Sequence, residues 1–333
     1  MSATAGVIGS GSFGTAVANL LAENLPVRLY IRNPEAFLAA QQGRRSAGQV
    51  LHPKVTPCAH PEDLHDCTYW FLMVPSQALD EVWPIMDKVS GEDKVLVHGI
   101  KGLYPLAENP FGFVTVSEAI QVRTAWKHIG CLAGPNLARE IALGKPAATV
   151  VASLDDRVLQ EIPPLLKSPR FQVLLGHDLR GIELCGVLKN IMAIASGALH
   201  QLELGENAKA LLINRAMVEM VHLGLHLGGK LPGFLGVAGL GDLIATCSSP
   251  SSRNFTVGAW LAQGKTLDEV IRLMEETAEG IATTERVYRL AEEKGWKAPI
   301  TKMVYKVLYE DLPVETALQR LMKLPLSTDV DFV

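Results

Sequence analysis

The sequence predicts a Rossmann-type α/β fold, a doubly wound and mostly parallel sheet, followed by an all-helical domain. Short apolar runs alternate with helical segments up to residue 176. A G-x-G-x-x-G stands directly after the first apolar run and opens the first helical one. Beyond that point only helical periodicity remains.

Strands are expected over 6–8, 27–31, 69–74, 94–98, 129–133, 148–152 and 171–175, with helices over 15–23, 77–89 and 156–167 between them. Gly176-His177-Asp178 reads as a break followed by a helix cap. Long helices are then expected over 179–199, 208–227, 267–276, 284–294 and 301–309. The predicted division is a dinucleotide-binding domain over 1–177 and a helical substrate-binding domain over 178–333.

The 333 residues are enough for two domains, and 48% hydrophobic with 20% charged residues is an ordinary globular mix. A formal net charge of -4 gives no basis for binding nucleic acid or acidic membranes. Cys58, Cys67, Cys131, Cys185 and Cys247 are scattered, with no C-x-x-C, which fits a reducing compartment. The chain enters the strand-like Ala5-Gly6-Val7-Ile8 with no basic-then-apolar leader pattern. The apolar stretch 191–199 reads as too short for a bilayer. A cytoplasmic protein without stable membrane insertion is expected, as a homodimer through apolar helix faces.

In Gly9-Ser10-Gly11-Ser12-Phe13-Gly14, the context of strand, loop and helix points to a dinucleotide. Gly9 allows the tight turn, Gly11 lets backbone approach a pyrophosphate, and Gly14 lets helix and strand pack closely. The helix N-terminus then faces the phosphates. The bland alternative is a tight turn without nucleotide. At the end of the second strand, where an acidic residue would take a ribose 2′-hydroxyl, the sequence has Arg32-Asn33. An arginine there can pair with a 2′-phosphate, which leans the reading towards NADP(H). It can also stack on adenine and accept either cofactor, or be a solvated strand end.

Lys189 lies in a very apolar helical stretch with Cys185, Gly186, Ala193 and Ser196 on its face. A lysine among small residues borders space for a ligand, and desolvation there would favour proton transfer. A snorkelling lysine at a domain surface fits the same periodicity. Further on, a glycine-rich turn ends in Asp242, and Ser248-Ser249-Pro250-Ser251-Ser252-Arg253-Asn254 leads into a helix. Hydroxyls, an amide and a guanidinium at a helix start suit a phosphate, or form a plain polar cap. Residues 52–67 hold His52, Cys58, His60, His65 and Cys67 at irregular spacing among prolines, and read as a surface loop. His222 and His226 lack the glutamate of H-E-x-x-H, so no metal is expected.

GSGSFGTAVA (9–18), GIKGL (99–103), LAGPNLAREIA (132–142), GVLKNIMAIASG (186–197), GLGDLIATCSSPSSRN (239–254) and AEG (278–280) run along nearly the whole chain. Together they resemble the bacterial-type NAD(P)-dependent glycerol-3-phosphate dehydrogenase family, and the helical half resembles a 6-phosphogluconate-dehydrogenase-type C-terminal domain. The resemblance implies an enzyme that interconverts sn-glycerol 3-phosphate and dihydroxyacetone phosphate by hydride transfer with NAD(P)(H), supplying phospholipid synthesis. It implies that Lys189 is the proton acceptor for the C2 hydroxyl, with Asp242 beside it. Ser252, Arg253 and Asn254 resemble contacts to the substrate phosphate and the cofactor. Lys101 resembles a contact shared by both ligands. Gly134 and Asn136 match substrate positions; Ala138, Ser12, Phe13, Arg32, Thr277 and Glu279 match cofactor positions.

The sequence departs from the family pattern at several points. Asn136 stands where Ser or Thr is usual, Leu137 for Phe, and Thr277 for Val. An arginine is common near Asp80, Trp at Leu29-Tyr30, and Thr-Phe at Gly233-Phe234. Two other readings remain at this stage. One is a related two-domain dehydrogenase of a 3-hydroxy acid or ketopantoate. The other is a non-catalytic NAD(P)-binding regulator, which leaves Lys189 and Asp242 unexplained.

Overall fold

The computed structural model describes residues 3–89, 91, 93–274 and 278–323. The chain splits into two compact units, Met1–Leu179 and Arg180–Val333. The first is built on eight strands: β1 (Ala5–Ile8), β2 (Val27–Tyr30), β3 (Val55–Cys58), β4 (Tyr69–Leu72), β5 (Val95–His98), β6 (His128–Ala133), β7 (Ala147–Ser153) and β8 (Phe171–Gly176). Their order in the sheet is β8-β7-β6-β5-β4-β1-β2-β3. Strands β1 to β6 are all parallel, in the 3-2-1-4-5-6 order of a doubly wound dinucleotide fold. β7 runs antiparallel to β6, and β8 follows β7 in parallel.

Six helices accompany this sheet: α1 (Ser12–Ala22), α2 (Pro34–Gly43), α3 (Leu79–Val89), α4 (Val116–Arg123), α5 (Ala138–Ala142) and α6 (Asp156–Leu166). Both sheet faces are covered, which is why the central strands are continuously apolar rather than alternating. On one face Val7, Leu29, Phe71 and Val97 pack with Val17, Ala18 and Leu21 of α1 and with Val158 and Ile162 of α6. On the other, Ile8, Leu72 and Leu96 pack with Leu79, Val82, Trp83 and Met86 of α3 and with Ile120 of α4.

The segment read as a surface loop contains β3 instead, paired with β2. Pro57 is tolerated because β3 is the sheet edge, where a missing N–H breaks no inner ladder. Cys58 and Cys67 are buried, and burial pushes both thiols up to about 11.

Among the described residues the second unit is helical throughout: α7 (Leu179–Gln201), α8 (Gly205–His226), α9 (Leu231–Leu235), α10 (Asp242–Ser248), α11 (Arg253–Ala262), α12 (Leu267–Leu273), α13 (Glu279–Lys294), α14 (Pro299–Tyr309) and α15 (Val314–Met322). The apolar stretch judged too short for a bilayer is part of α7, whose 23 residues are long and apolar enough to cross one by length and composition. The uncharged stretch stops short of Lys189, while the helix continues back through Glu183. Its most apolar window is wholly buried inside the structure, as in the core helix of a globular domain.

Helices α7 and α11 touch backbone to backbone. A Cβ on Gly197 would stand 1.9 Å from the Phe255 carbonyl oxygen, and one on Gly258 1.8 Å from that of Ile194. The start of α14 is held by Glu219 of α8, which is fully buried. Its Oε2 accepts from the Ile300 N–H at 2.7 Å, and its Oε1 from the Thr301 N–H at 2.9 Å and hydroxyl at 2.6 Å. Desolvation is the largest influence on this carboxyl and pushes it up to about 7, against the three donors.

Two measurements check this packing. Gly258→Ala in a helix interior would ordinarily gain about 1 kcal/mol from propensity. Here the contact with α7 should reverse the sign and destabilise by about 3 kcal/mol in denaturant unfolding. An unchanged or higher midpoint would show that the helices do not meet there. For Glu219, a folded value above the unfolded one means stability present at low pH and lost as pH rises through about 7. Relative to Glu219→Gln, the unmodified chain should lose on the order of 3 kcal/mol between about pH 4.5 and 7. Parallel stability profiles of the two would refute the burial of an ionisable carboxyl.

Candidate active site

The glycine loop follows β1 directly. Gly9 has φ +110°, and a Cβ there would lie 2.3 Å from the Met73 carbonyl oxygen. A Cβ on Gly14 would lie 1.8 Å from the Gly9 carbonyl oxygen, so the turn and the start of α1 close on each other. Gly11 differs: nothing lies within 4 Å of its absent Cβ. Its lack of a side chain serves no contact inside the protein and keeps space open at the helix N-terminus, the place a pyrophosphate requires. These residues therefore fit a dinucleotide. Phe13 packs on Gly99, where a Cβ would meet its ring at 2.8 Å and the Met73 sulfur at 2.6 Å.

Because β1, β2, β5 and β6 run parallel, the residues after them emerge at one end of the sheet. Gly9–Gly14, Arg32, Lys101, Gly134, Asn136 and Ala138 all stand there. Lys101 Nζ donates to the Gly134 carbonyl at 3.3 Å, and Gly134 holds φ +140°. Asn136 Nδ2 donates to Thr149 Oγ1 at 2.9 Å, whose hydroxyl in turn donates to the Ala133 carbonyl at 3.2 Å. That chain fixes the amide orientation and leaves Asn136 Oδ1 buried without a donor. The oxygen can take a hydrogen from a bound ligand. Ala138 opens α5, which packs against α1. Arg32 pairs with Glu81 of α3; the two side chains are 74% and 63% exposed.

In the second unit Lys189 and Asp242, 53 positions apart in sequence, form an ion pair at 4% and 2% exposure. Thr246, one turn after Asp242 on α10, completes the cluster. Lys189 Nζ donates to its Oγ1 at 2.7 Å, and that hydroxyl donates to Asp242 Oδ1 at 3.2 Å. Thr246 is the residue that sequence reasoning missed; its i+4 spacing from Asp242 was the available signal. Two turns along α7, Ser196 Oγ donates to the Cys247 carbonyl at 2.7 Å, which pins the other end of α10. The neighbouring Cys247 thiol is pushed up to about 12 by burial, so it offers no thiolate. The lysine is thus a buried ammonium held in one orientation.

Asp242 owes its position to an unusual turn. Val237–Gly241 winds as a π-helix, a form frequent at functional sites. A Cβ on Gly239 would stand 1.9 Å from the Phe234 carbonyl oxygen. The Phe234 ring is fully buried and fills the place a Cβ on Gly224 of α8 would take, at 1.9 Å.

Arg253 is exposed at the first position of α11, and Ser252 caps the helix by accepting from the Phe255 N–H at 3.4 Å. Asn254 is buried, and its Oδ1 accepts from the Gly280 N–H at 2.9 Å. This bond joins the Ser-Arg-Asn segment to the start of α13, whose first residue is Glu279. Thr277, the remaining expected cofactor residue, lies outside the described residues. Among the described residues no group of three or more His, Cys, Asp or Glu could hold a metal ion.

Comparison with known proteins finds two family models along the chain. The N-terminal model of NAD-dependent glycerol-3-phosphate dehydrogenase matches residues 4–159, and its C-terminal model matches 178–319. A glycerol-3-phosphate dehydrogenase [NAD(P)+] of Pseudomonas aeruginosa is 40% identical, over 98% of this chain and 96% of that protein. One from Pseudomonas fluorescens is also 40% identical at the same coverage. The crystal structure of glycerol-3-phosphate dehydrogenase from Coxiella burnetii superposes with a TM-score of 0.88 at 31% identity, covering 96% of this chain and 99% of that one. The chain belongs to the NAD-dependent glycerol-3-phosphate dehydrogenase family.

Proposed function

We propose that this chain interconverts sn-glycerol 3-phosphate and dihydroxyacetone phosphate with NAD(P)(H), working in the cytoplasm as a homodimer and supplying glycerol 3-phosphate for phospholipid synthesis. The observation that carries the reading is the buried Lys189–Asp242–Thr246 cluster in the same helical unit as the Ser252-Arg253-Asn254 helix start. Residues 1–177 serve as the dinucleotide-binding domain and 178–333 as the substrate-binding domain. When bound, the cofactor supplies the hydride chemistry at its nicotinamide.

The chain's own residues do the rest. Gly9, Gly11, Ser12, Phe13 and Gly14 cradle the pyrophosphate, with Arg32, Lys101, Ala138, Arg253, Thr277 and Glu279 as further cofactor contacts. Arg32 favours a 2′-phosphate and so NADP(H). Lys189 takes the C2 hydroxyl proton at Nζ in oxidation and returns it in reduction. Asp242 balances and aims the ammonium, and Thr246 fixes its direction by bridging the two. Ser252, Arg253 and Asn254 hold the phosphate, so that binding energy far from C2 orients the reacting carbon. Lys101, Gly134 and Asn136 complete the substrate contacts. The phosphate is what separates this substrate from a small hydroxy acid.

The deciding assay mixes the purified protein with dihydroxyacetone phosphate and follows the absorbance of NADPH, then of NADH. Oxidation of either supports the reaction. Cofactor binding without oxidation rejects it. Lys189→Ala should lower kcat at least a hundredfold, roughly the contribution of a positioned acid–base group, with NADPH binding retained. A folded variant with unimpaired turnover would end the lysine's role. Arg253→Ala should lower kcat/KM for dihydroxyacetone phosphate by about a hundredfold. An unchanged kcat/KM would remove the phosphate anchor.

A further inference from the structure

Arg32 and Glu81 meet across the sheet end. Arg32 follows β2, Glu81 sits in the first turn of α3 after β4, and β1 with its glycine loop lies between those two strands. The meeting has a simple cause. Ile8, Tyr30 and Leu72 are cross-strand neighbours and point to the face that α3 covers. Arg32, two residues beyond Tyr30, continues on that side and reaches the exposed start of α3. Its neighbour Asp80 is turned inward, accepting from the Tyr104 hydroxyl at 2.7 Å and the Trp83 indole at 3.2 Å. Glu81 is the carboxylate left beside the guanidinium.

In a dinucleotide fold this place is chemically defined. A carboxylate near the end of the second strand takes the ribose 2′-hydroxyl, whereas an arginine accommodates a 2′-phosphate. This chain lacks the acid on the strand and brings one from α3, in contact with the arginine. We propose that Glu81 is a cofactor-specificity residue that stands in for the missing strand-end acid and restrains the preference for NADPH. With NADH, Glu81 accepts from the 2′-hydroxyl while Arg32 holds it in place. With NADPH, a 2′-phosphate carrying about -1.5 to -2 charges must take Arg32 away from Glu81 and sit beside a like charge. The pair is exposed, so it tunes the choice rather than abolishing either cofactor.

The inference rests on the dinucleotide reading of the glycine loop and Arg32, and Glu81→Gln tests it separately. Glutamine keeps the size and removes the charge. The kcat/KM ratio for NADPH over NADH should rise about tenfold, the size of one like-charge contact near a surface. The rise should come through a lower KM for NADPH and a higher KM for NADH, with kcat unchanged. Calorimetric binding of 2′,5′-ADP against 5′-AMP should shift the same way without substrate present, and added salt should compress the difference. A ratio within twofold of the parent, or equal losses with both cofactors, overturns the role of Glu81. If the parent protein binds none of these nucleotides, the dinucleotide reading itself fails.

Discussion

The helical unit is organised around the burial of one ammonium group. Removing Lys189 from water costs several kcal/mol unless a partner and further hydrogen bonds compensate. Asp242 and the Thr246 hydroxyl provide them, and both come from α10. Helix α10 must therefore start at one place relative to α7. The π-helical turn before it sets that start, closed on the Phe234 carbonyl through Gly239. Phe234 is in turn seated against Gly224 of α8. One charge thus fixes the register of α7, α8, α9 and α10 together, and each glycine in the series is present because a backbone or ring occupies the place of its Cβ.

The nucleotide-binding unit follows a related rule with one difference. Gly9 and Gly14 lack a Cβ because the protein itself fills the space, while Gly11 lacks one where the protein leaves space open. An open Cβ position directly after β1, at the N-terminus of α1, suits a bound phosphate group, which the loop does not itself contain. The buried Asn136 Oδ1 is of the same kind, an acceptor whose own anchoring to Thr149 leaves it unmatched.

Much of this was legible in the sequence because it rests on short patterns. The strand–loop–helix context identified the glycine loop, and the very apolar stretch around Lys189 pointed to a buried helix. The pairing of Lys189 with Asp242 was not readable from spacing, since a turn of non-α geometry intervenes; it came only through the family resemblance. Thr246 escaped because Leu-Ile-Ala-Thr-Cys reads as ordinary core helix. Glu81 escaped because an exposed acid in a first helical turn already has a role at the helix N-terminus. Strand β3 was hidden by Pro57, whose strand-breaking signal fails at a sheet edge. The helix over 179–199 was legible, but its full apolar length was not, because a buried ion pair lets charges lie inside an apolar helix.

Lys189 and the Ser252-Arg253-Asn254 helix start belong to one packed frame. Lys189 and Ser196 are on α7, Ser252 and Arg253 begin α11, and Gly197 and Gly258 let these helices touch backbone to backbone. The distance from the lysine to the start of α11 is then set by main-chain contact rather than by side chains that could repack. Asn254 extends the same frame to α13 through the Gly280 N–H. If Arg253 binds phosphate and Lys189 serves the C2 oxygen, as proposed, this frame measures the length of the substrate. It would select a three-carbon phosphate over shorter or longer ones by geometry. In that case the close backbone approach of α7 and α11 would bear on the chemistry, because a shift of about 1 Å can weaken catalysis by two orders of magnitude.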